Sequence, residues 1–149
     1  MSKSLTGTAT AKVSAQFQNT TGLNTVFSGS PSLQSNVKYA TTDVSKVWFS
    51  NYTVGTTPTS VDLTTTVDSF GAAQVFAKVL AFQVVNNDAT HTVTVGGSTG
   101  NDLFAALPVI APGGSVFFAT SLTVDSTHKV IELTASAAGT SVDLIVLGN

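Results

Sequence analysis

The chain has 149 residues and a net charge of −2, with six Lys, no Arg, no Cys, two His, 17 Ser and 24 Thr. Without cysteine there is no disulfide framework, no thiolate metal site and no thiol nucleophile. Without arginine, and with its six lysines scattered at Lys3, Lys12, Lys38, Lys46, Lys78 and Lys129, the chain has no basic patch for a phosphate backbone, so nucleic acid is not an expected partner.

The length suits one domain with one sizeable core, and a mean hydropathy of +0.31 is that of a folded chain. So little charge favours association over solvated isolation. No apolar run approaches the ~20 residues of a membrane span, so no membrane partner is expected. Residues 1–8 lack the apolar centre of a signal peptide, so synthesis in the cytoplasm without export by that route is expected.

From Leu5 to Phe17 the sequence alternates. Leu5, Ala9, Ala11, Val13, Ala15 and Phe17 share one parity, while Thr6, Thr8, Thr10, Lys12, Ser14 and Gln16 share the other. Period two over this length is a strand with one apolar face. Those apolar side chains are mostly small, so another sheet or subunit must approach closely. Asn19 to Asn36 is rich in Ser, Thr, Asn and Gly and reads as loop, with a short strand at Thr25–Phe27. Residues 1–42 thus read as an extended arm and loop region ahead of a compact core, 43–149, within a single domain.

Val37–Thr41 and Lys46–Val54 read as strands around a turn at Thr42-Asp43, the second carrying Trp48, Phe49 and Tyr52 and packed on both faces. Ser60–Phe70 reads as a strand followed by a loop, since Thr64, Thr65 and Thr66 disfavour helix. The most hydrophobic segment, Gln74–Val85, reads as a central strand, and the Asn86-Asn87-Asp88 turn joins it in a hairpin to His91–Val95. After a glycine loop at Gly96–Asn101, the Pro112-Gly113-Gly114 turn introduces Ser115–Thr120. The chain closes with a final pair, His128–Ala135 and Ser141–Leu147, around Gly139. Eight or nine strands with no helical period predict an all-β antiparallel sandwich or jelly roll. No repeat of fixed period and no linker are visible.

Catalytic chemistry has few carriers. A hydrolase triad needs a hydroxyl, a histidine and an acid converging, and neither His91 nor His128 has a nucleophile-elbow motif beside it. Both read as hairpin-end histidines that hydrogen-bond locally. Two histidines without cysteine fall short of a zinc site, and the single aspartates include no Asp-x-Asp-x-Asp calcium loop. The one glutamate, Glu132, reads as an outward strand residue, and Gly96–Gly100 lacks the lysine of a phosphate loop. The expectation is a protein without enzymatic activity, metal or cofactor.

From Asp62 to the end runs a series of turn and strand signatures: Asp62-Leu63, Phe70-Gly71, Phe76-Ala77-Lys78-Val79, Val84-Val85-Asn86-Asn87, Thr94-Val95-Gly96-Gly97, Ile110-Ala111-Pro112-Gly113-Gly114 and Val142–Gly148. This series resembles the small β-rich virion structural proteins of tailed bacteriophages, the head-decoration, fibre and tail-associated class. The resemblance implies a location in the virion and partners among copies of itself and other virion proteins, such as the major capsid protein. It carries no catalytic residues. A capsid decoration or cement subunit is the expected function, with Leu5, Ala9, Ala11, Val13, Phe17, Trp48 and Tyr52 as interaction residues. A carbohydrate- or receptor-binding fibre module and a major shell or tube protein are the alternatives. The binding module would need Trp48 and Tyr52 exposed as a platform.

Overall fold

The computed structural model describes residues 7–14, 17–19, 27–29 and 32–39 by their backbone, and residues 44–67, 72–97 and 101–149 in full. Two compact units emerge, Thr8–Lys38 and the rest of the chain. In the smaller, β1 (Gly7–Ser14) pairs with β4 (Ser32–Tyr39), and β2 (Phe17–Asn19) pairs antiparallel with β3 (Phe27–Gly29). The loop expected over Asn19–Asn36 is therefore corrected: Phe27–Gly29 and Ser32 onward are strand. Their Ser, Asn and Gly content argues for loop, but strand propensity yields to the ladder a partner supplies. Of the expected interaction residues, Ala9, Ala11 and Val13 lie in β1 and Phe17 in β2. Leu5 lies outside the described residues, as does the expected turn at Thr42-Asp43.

The larger unit holds seven strands and, among the described residues, no helix. They are β5 (Lys46–Val54), β6 (Thr59–Asp62), β7 (Lys78–Asn86), β8 (Val93–Val95), β9 (Ser115–Thr123), β10 (Val130–Ala135) and β11 (Thr140–Gly148). Two antiparallel sheets result, one ordered β5-β11-β7-β9 and one ordered β6-β10-β8. Ile110 bridges Val93 and carries the second sheet one step beyond β8. Every connection between consecutive strands passes from one sheet to the other. This corrects two expectations. The strands ending at Val85 and starting near His91 are no hairpin, because β7 pairs with β11 and β9 while β8 pairs with β10. The closing strands β10 and β11 likewise lie in opposite sheets. Sequence neighbours separated by a tight turn look like hairpins, but each strand here carries one apolar face that is buried only by crossing to the opposite sheet.

Alternation fixes which side of each strand is buried. Along β11, Val142, Leu144 and Val146 are fully buried, and Ser141, Asp143, Ile145 and Leu147 between them are not. Along β5, Trp48 and Val54 point inward, and Val47, Phe49, Asn51 and Thr53 point away. From the second sheet, Val61, Val93, Val95, Ile131, Leu133 and Ala135 enter the same cluster, so the two sheets share one sandwich-like core. Within it, the fully buried Phe82 ring stacks on Phe104, at 5.0 Å, and on the exposed Phe118, at 5.5 Å. Two glycines answer to geometry: Gly139 turns the chain into β11 at φ 87°, and a Cβ on Gly148 would strike the Lys78 carbonyl oxygen at the β-bulge there.

Candidate functional site

The two histidines occupy copies of one local motif, too short to show as a repeat of fixed period: Asp88-Ala89-Thr90-His91 and Asp125-Ser126-Thr127-His128. In each, one aspartate oxygen collects the following turn. Asp88 Oδ1 accepts from the Thr90 N–H (2.7 Å), the Thr90 hydroxyl (3.0 Å) and the His91 N–H (2.8 Å). Asp125 Oδ1 accepts from the Thr127 N–H (2.7 Å), the Thr127 hydroxyl (2.9 Å) and the His128 N–H (2.8 Å). Backbone donation from Thr90, then from His91, holds Asp88 far below the ordinary carboxylate range. The same donation, led by the Thr127 N–H, brings Asp125 down to about 2. These are turns that launch β8 and β10.

The geometry differs from that of a hydrolase triad. His91 Nδ1 lies 3.1 Å from Asp88 Oδ1 and 3.2 Å from Thr90 Oγ1, and His128 Nδ1 lies 3.2 Å from Asp125 Oδ1 and 3.1 Å from Thr127 Oγ1. Acid and hydroxyl thus meet the same ring nitrogen, whereas a triad sets them on opposite nitrogens. His128 also lines a hollow of about 440 Å³ together with Asp102 and Phe104. Among the described residues, no three His, Asp or Glu side chains gather as metal ligands.

Glu132 sits between Ile131 and Leu133 but on the other side of β10, where its register partner is Ser60. It was expected to face solvent, yet it is only 7% exposed. Ser60 Oγ donates to its Oε1 at 2.6 Å, and Oε2 is buried without a hydrogen-bond partner. Beside it, the Lys129 ammonium donates to Asp62 Oδ2 at 2.6 Å. Burial pushes Asp62 up, but the hydrogen bonds from Lys129 and Thr64 outweigh it and hold the carboxyl below its usual value.

Trp48 and Tyr52 do come together, with ring centroids 6.2 Å apart. They line a groove of about 470 Å³ between β5 and the β6 segment, with Ser50, Ser60, Asp62, Thr65 and Val67. Trp48 is no platform: it is 6% exposed, and its indole N–H donates to the Val67 carbonyl at 3.0 Å. Tyr52 is half-buried, and burial raises its hydroxyl pKa against a smaller pull from Ser50.

Apart from these clusters there is a sheet face, open at Val47 and Phe49 and closed at Ala81. On the outer side of the four-stranded sheet, Phe49, Ile145, Gln83 and Phe117 form one row, and Val47, Leu147, Ala81 and Ala119 the next. Asn51, Asp143, Val85 and Ser115 form a third, and Asp143 is the only charge in all three. Asn51 Nδ2 donates to Asp143 Oδ1 at 2.8 Å. The signal was present in the sequence as the two-sided apolar pattern of Lys46–Val54. No family model, curated protein or solved structure matches this chain.

Proposed function

We propose that this chain is a non-enzymatic structural subunit of a bacteriophage particle, a decoration or cement protein that coats the capsid as an oligomer. The observation that carries this reading is the pairing of strand order with surface. Strands that alternate between a β5-β11-β7-β9 sheet and a β6-β10-β8 sheet, the latter extended by Ile110, follow the double-sheet order of a jelly roll. Viral capsid domains use that architecture, although lectins and cupins use it too, so the surface must decide. Here the outer rows of the four-stranded sheet carry Val47 and Phe49 exposed and Ile145, Leu147 and Phe117 half-buried, with a single charge among the rows. A contact of that kind depends on apolar burial and backbone pairing, which salt screens little. The partners are copies of the chain and other virion proteins, the major capsid protein first.

One observation favours a second reading, a carbohydrate-binding module. The groove beside Tyr52 gathers the hydroxyls of Ser50, Ser60 and Thr65 with the Asp62 carboxylate. Burial of the Trp48 ring removes the stacking platform such a module needs and sets this reading behind the first.

The test is the composition of purified particles. Particles banded on a density gradient should contain the chain in a fixed ratio to the major capsid protein, and antibody should label the capsid surface. Deleting residues 1–18 should leave a folded remainder that no longer joins particles. Recovery of the full-length chain only in the soluble fraction overturns the proposal, and saturable binding to a glycan array would favour the second reading.

A further inference from the structure

Strand β5 ends the four-stranded sheet. On one side its nine residues pair with β11 in unbroken register, from Lys46↔Gly148 to Val54↔Thr140. On the other side, none of residues 46–54 makes a main-chain hydrogen bond among the described residues. Every second residue of an antiparallel strand turns its N–H and C=O away from its neighbour, so this edge presents a row of donors and acceptors that no described residue takes up. Proteins ordinarily disarm such edges by keeping them short, bulging them, or placing proline and charge on them. The other edges of the unit follow that rule. β6 has four residues, β8 has three and is bridged by Ile110, and the β7–β9 ladder shifts register between Val79 and Ala81. β5 follows none of it: it has no proline and no bulge, and its one charge, Lys46, stands at its end.

Apolar side chains flank the bare edge. Val47 is 44% exposed and Phe49 58%, and Val67, across the groove, is 54% exposed. We propose that β5 joins two copies of this chain, antiparallel about a two-fold axis at Ser50, merging their four-stranded sheets into one of eight strands.

A second copy is the occupant because β5 complements itself. Centred on Ser50, the pairing sets Phe49 against the partner's Asn51, Trp48 against the partner's Tyr52, Val47 against the partner's Thr53, and Lys46 against the partner's Val54. The facing residues share parity, so both cores stay on the same side of the joined sheet. The single cation meets a valine, and no like charges oppose. The area also suffices. A nine-residue edge is ~30 Å long, and a two-sheet edge with its side chains is ~20 Å deep, giving roughly 600 Å² per copy. Twice that reaches the ~1,200 Å² at which specific interfaces begin. The contact is isologous, as two-fold symmetry requires. It does not rest on the virion reading, since it concerns the purified chain in solution.

Charge swapping tests it. One variant carries Phe49→Lys and Asn51→Lys, another Phe49→Glu and Asn51→Glu; each sets like charges face to face across the axis. By sedimentation velocity the native chain should be a dimer, each variant alone a monomer with native far-UV circular dichroism, and their equimolar mixture a dimer again. Ser121→Lys, on the opposite edge strand β9, should leave the native dimer intact. A native chain that stays monomeric at high concentration overturns the proposal. So do variants that remain associated when alone, or a mixture that fails to re-form the dimer from two folded partners.

Discussion

The two sheets bury the same kind of inner face and differ in what they turn outward. The outer positions of β6, β10 and β8 are Ser60 and Asp62, Val130, Glu132 and Thr134, and Thr94. The corresponding positions of β5 and β11 are Val47, Phe49, Asn51 and Thr53, and Ser141, Asp143, Ile145 and Leu147, with Asp143 the only charge among them. In the three-stranded sheet, outer polar groups are tied to one another, Ser60 to Glu132 and Asp62 to Lys129. In the four-stranded sheet, Val47 and Phe49 on β5 are exposed, Ile145 and Leu147 are half-buried, and Ala81 on β7 is fully buried. A fold that ties polar groups together on one sheet and leaves Val47 and Phe49 exposed on the other separates internal stability from contact. Substitutions in the core and on the polar sheet should therefore register in folding, and substitutions on the exposed β5 face mainly in assembly.

The largest effect is expected at a large, fully buried ring of the core. Phe82→Ala removes the ring stacked on Phe104 and Phe118 and should cost about 3–5 kcal/mol in urea unfolding. Next comes the polar sheet. Ser60→Ala deprives the buried Glu132 of its donor and should cost about 1.5–3 kcal/mol by the same measurement, because the carboxylate keeps its burial and loses its hydrogen bond. An unchanged midpoint would show that the outer side of β10 is less sealed than its burial indicates.

Acid should then erode stability. Asp125 has a folded pKa of about 2 against an unfolded value of about 3.9, so its contribution is complete above pH ~4 and is lost as pH falls toward 2. Asp88, lowered further by the Thr90 and His91 donors, extends that loss to lower pH. Melting temperature followed against pH should fall through this window, and Asp125→Ala should flatten part of the fall. The smallest effect belongs to the exposed β5 face. Phe49→Ser removes only a cross-strand contact with Ile145 and should change the stability of the isolated chain by about 0.2–1 kcal/mol. A loss as large as that for Phe82 would mean that this face is part of the folding core.

The strands were readable from apolar runs and alternation. Gln74–Val85 announces β7, although the strand begins only at Lys78, Ser141–Leu147 announces β11, and the glycines at 113 and 139 turn where the sequence places them. The pairing was not readable. Nothing in Val85-Asn86-Asn87-Asp88 distinguishes a hairpin turn from a crossing between sheets, because both need the same turn residues. The deciding feature is nonlocal: Asn86 is fully buried, and its amide donates to the His91 and Ala111 carbonyls, knitting together two turns that are distant in sequence. The site was legible in part. Trp48 packs into the core, as its apolar strand suggested, and its ring lies beside that of Tyr52, a neighbourhood the sequence did not name. The burial of Glu132 depends on packing over the sheet, which no parity rule encodes.

The separation of stability from contact is tested most directly by association as a function of salt. Sedimentation of the native chain in dilute buffer and in about 1 M sodium chloride should give the same oligomer, or a tighter one, because almost no charge lies on the contact face. Oligomers that dissociate as salt rises, or a monomer under both conditions, would contradict it.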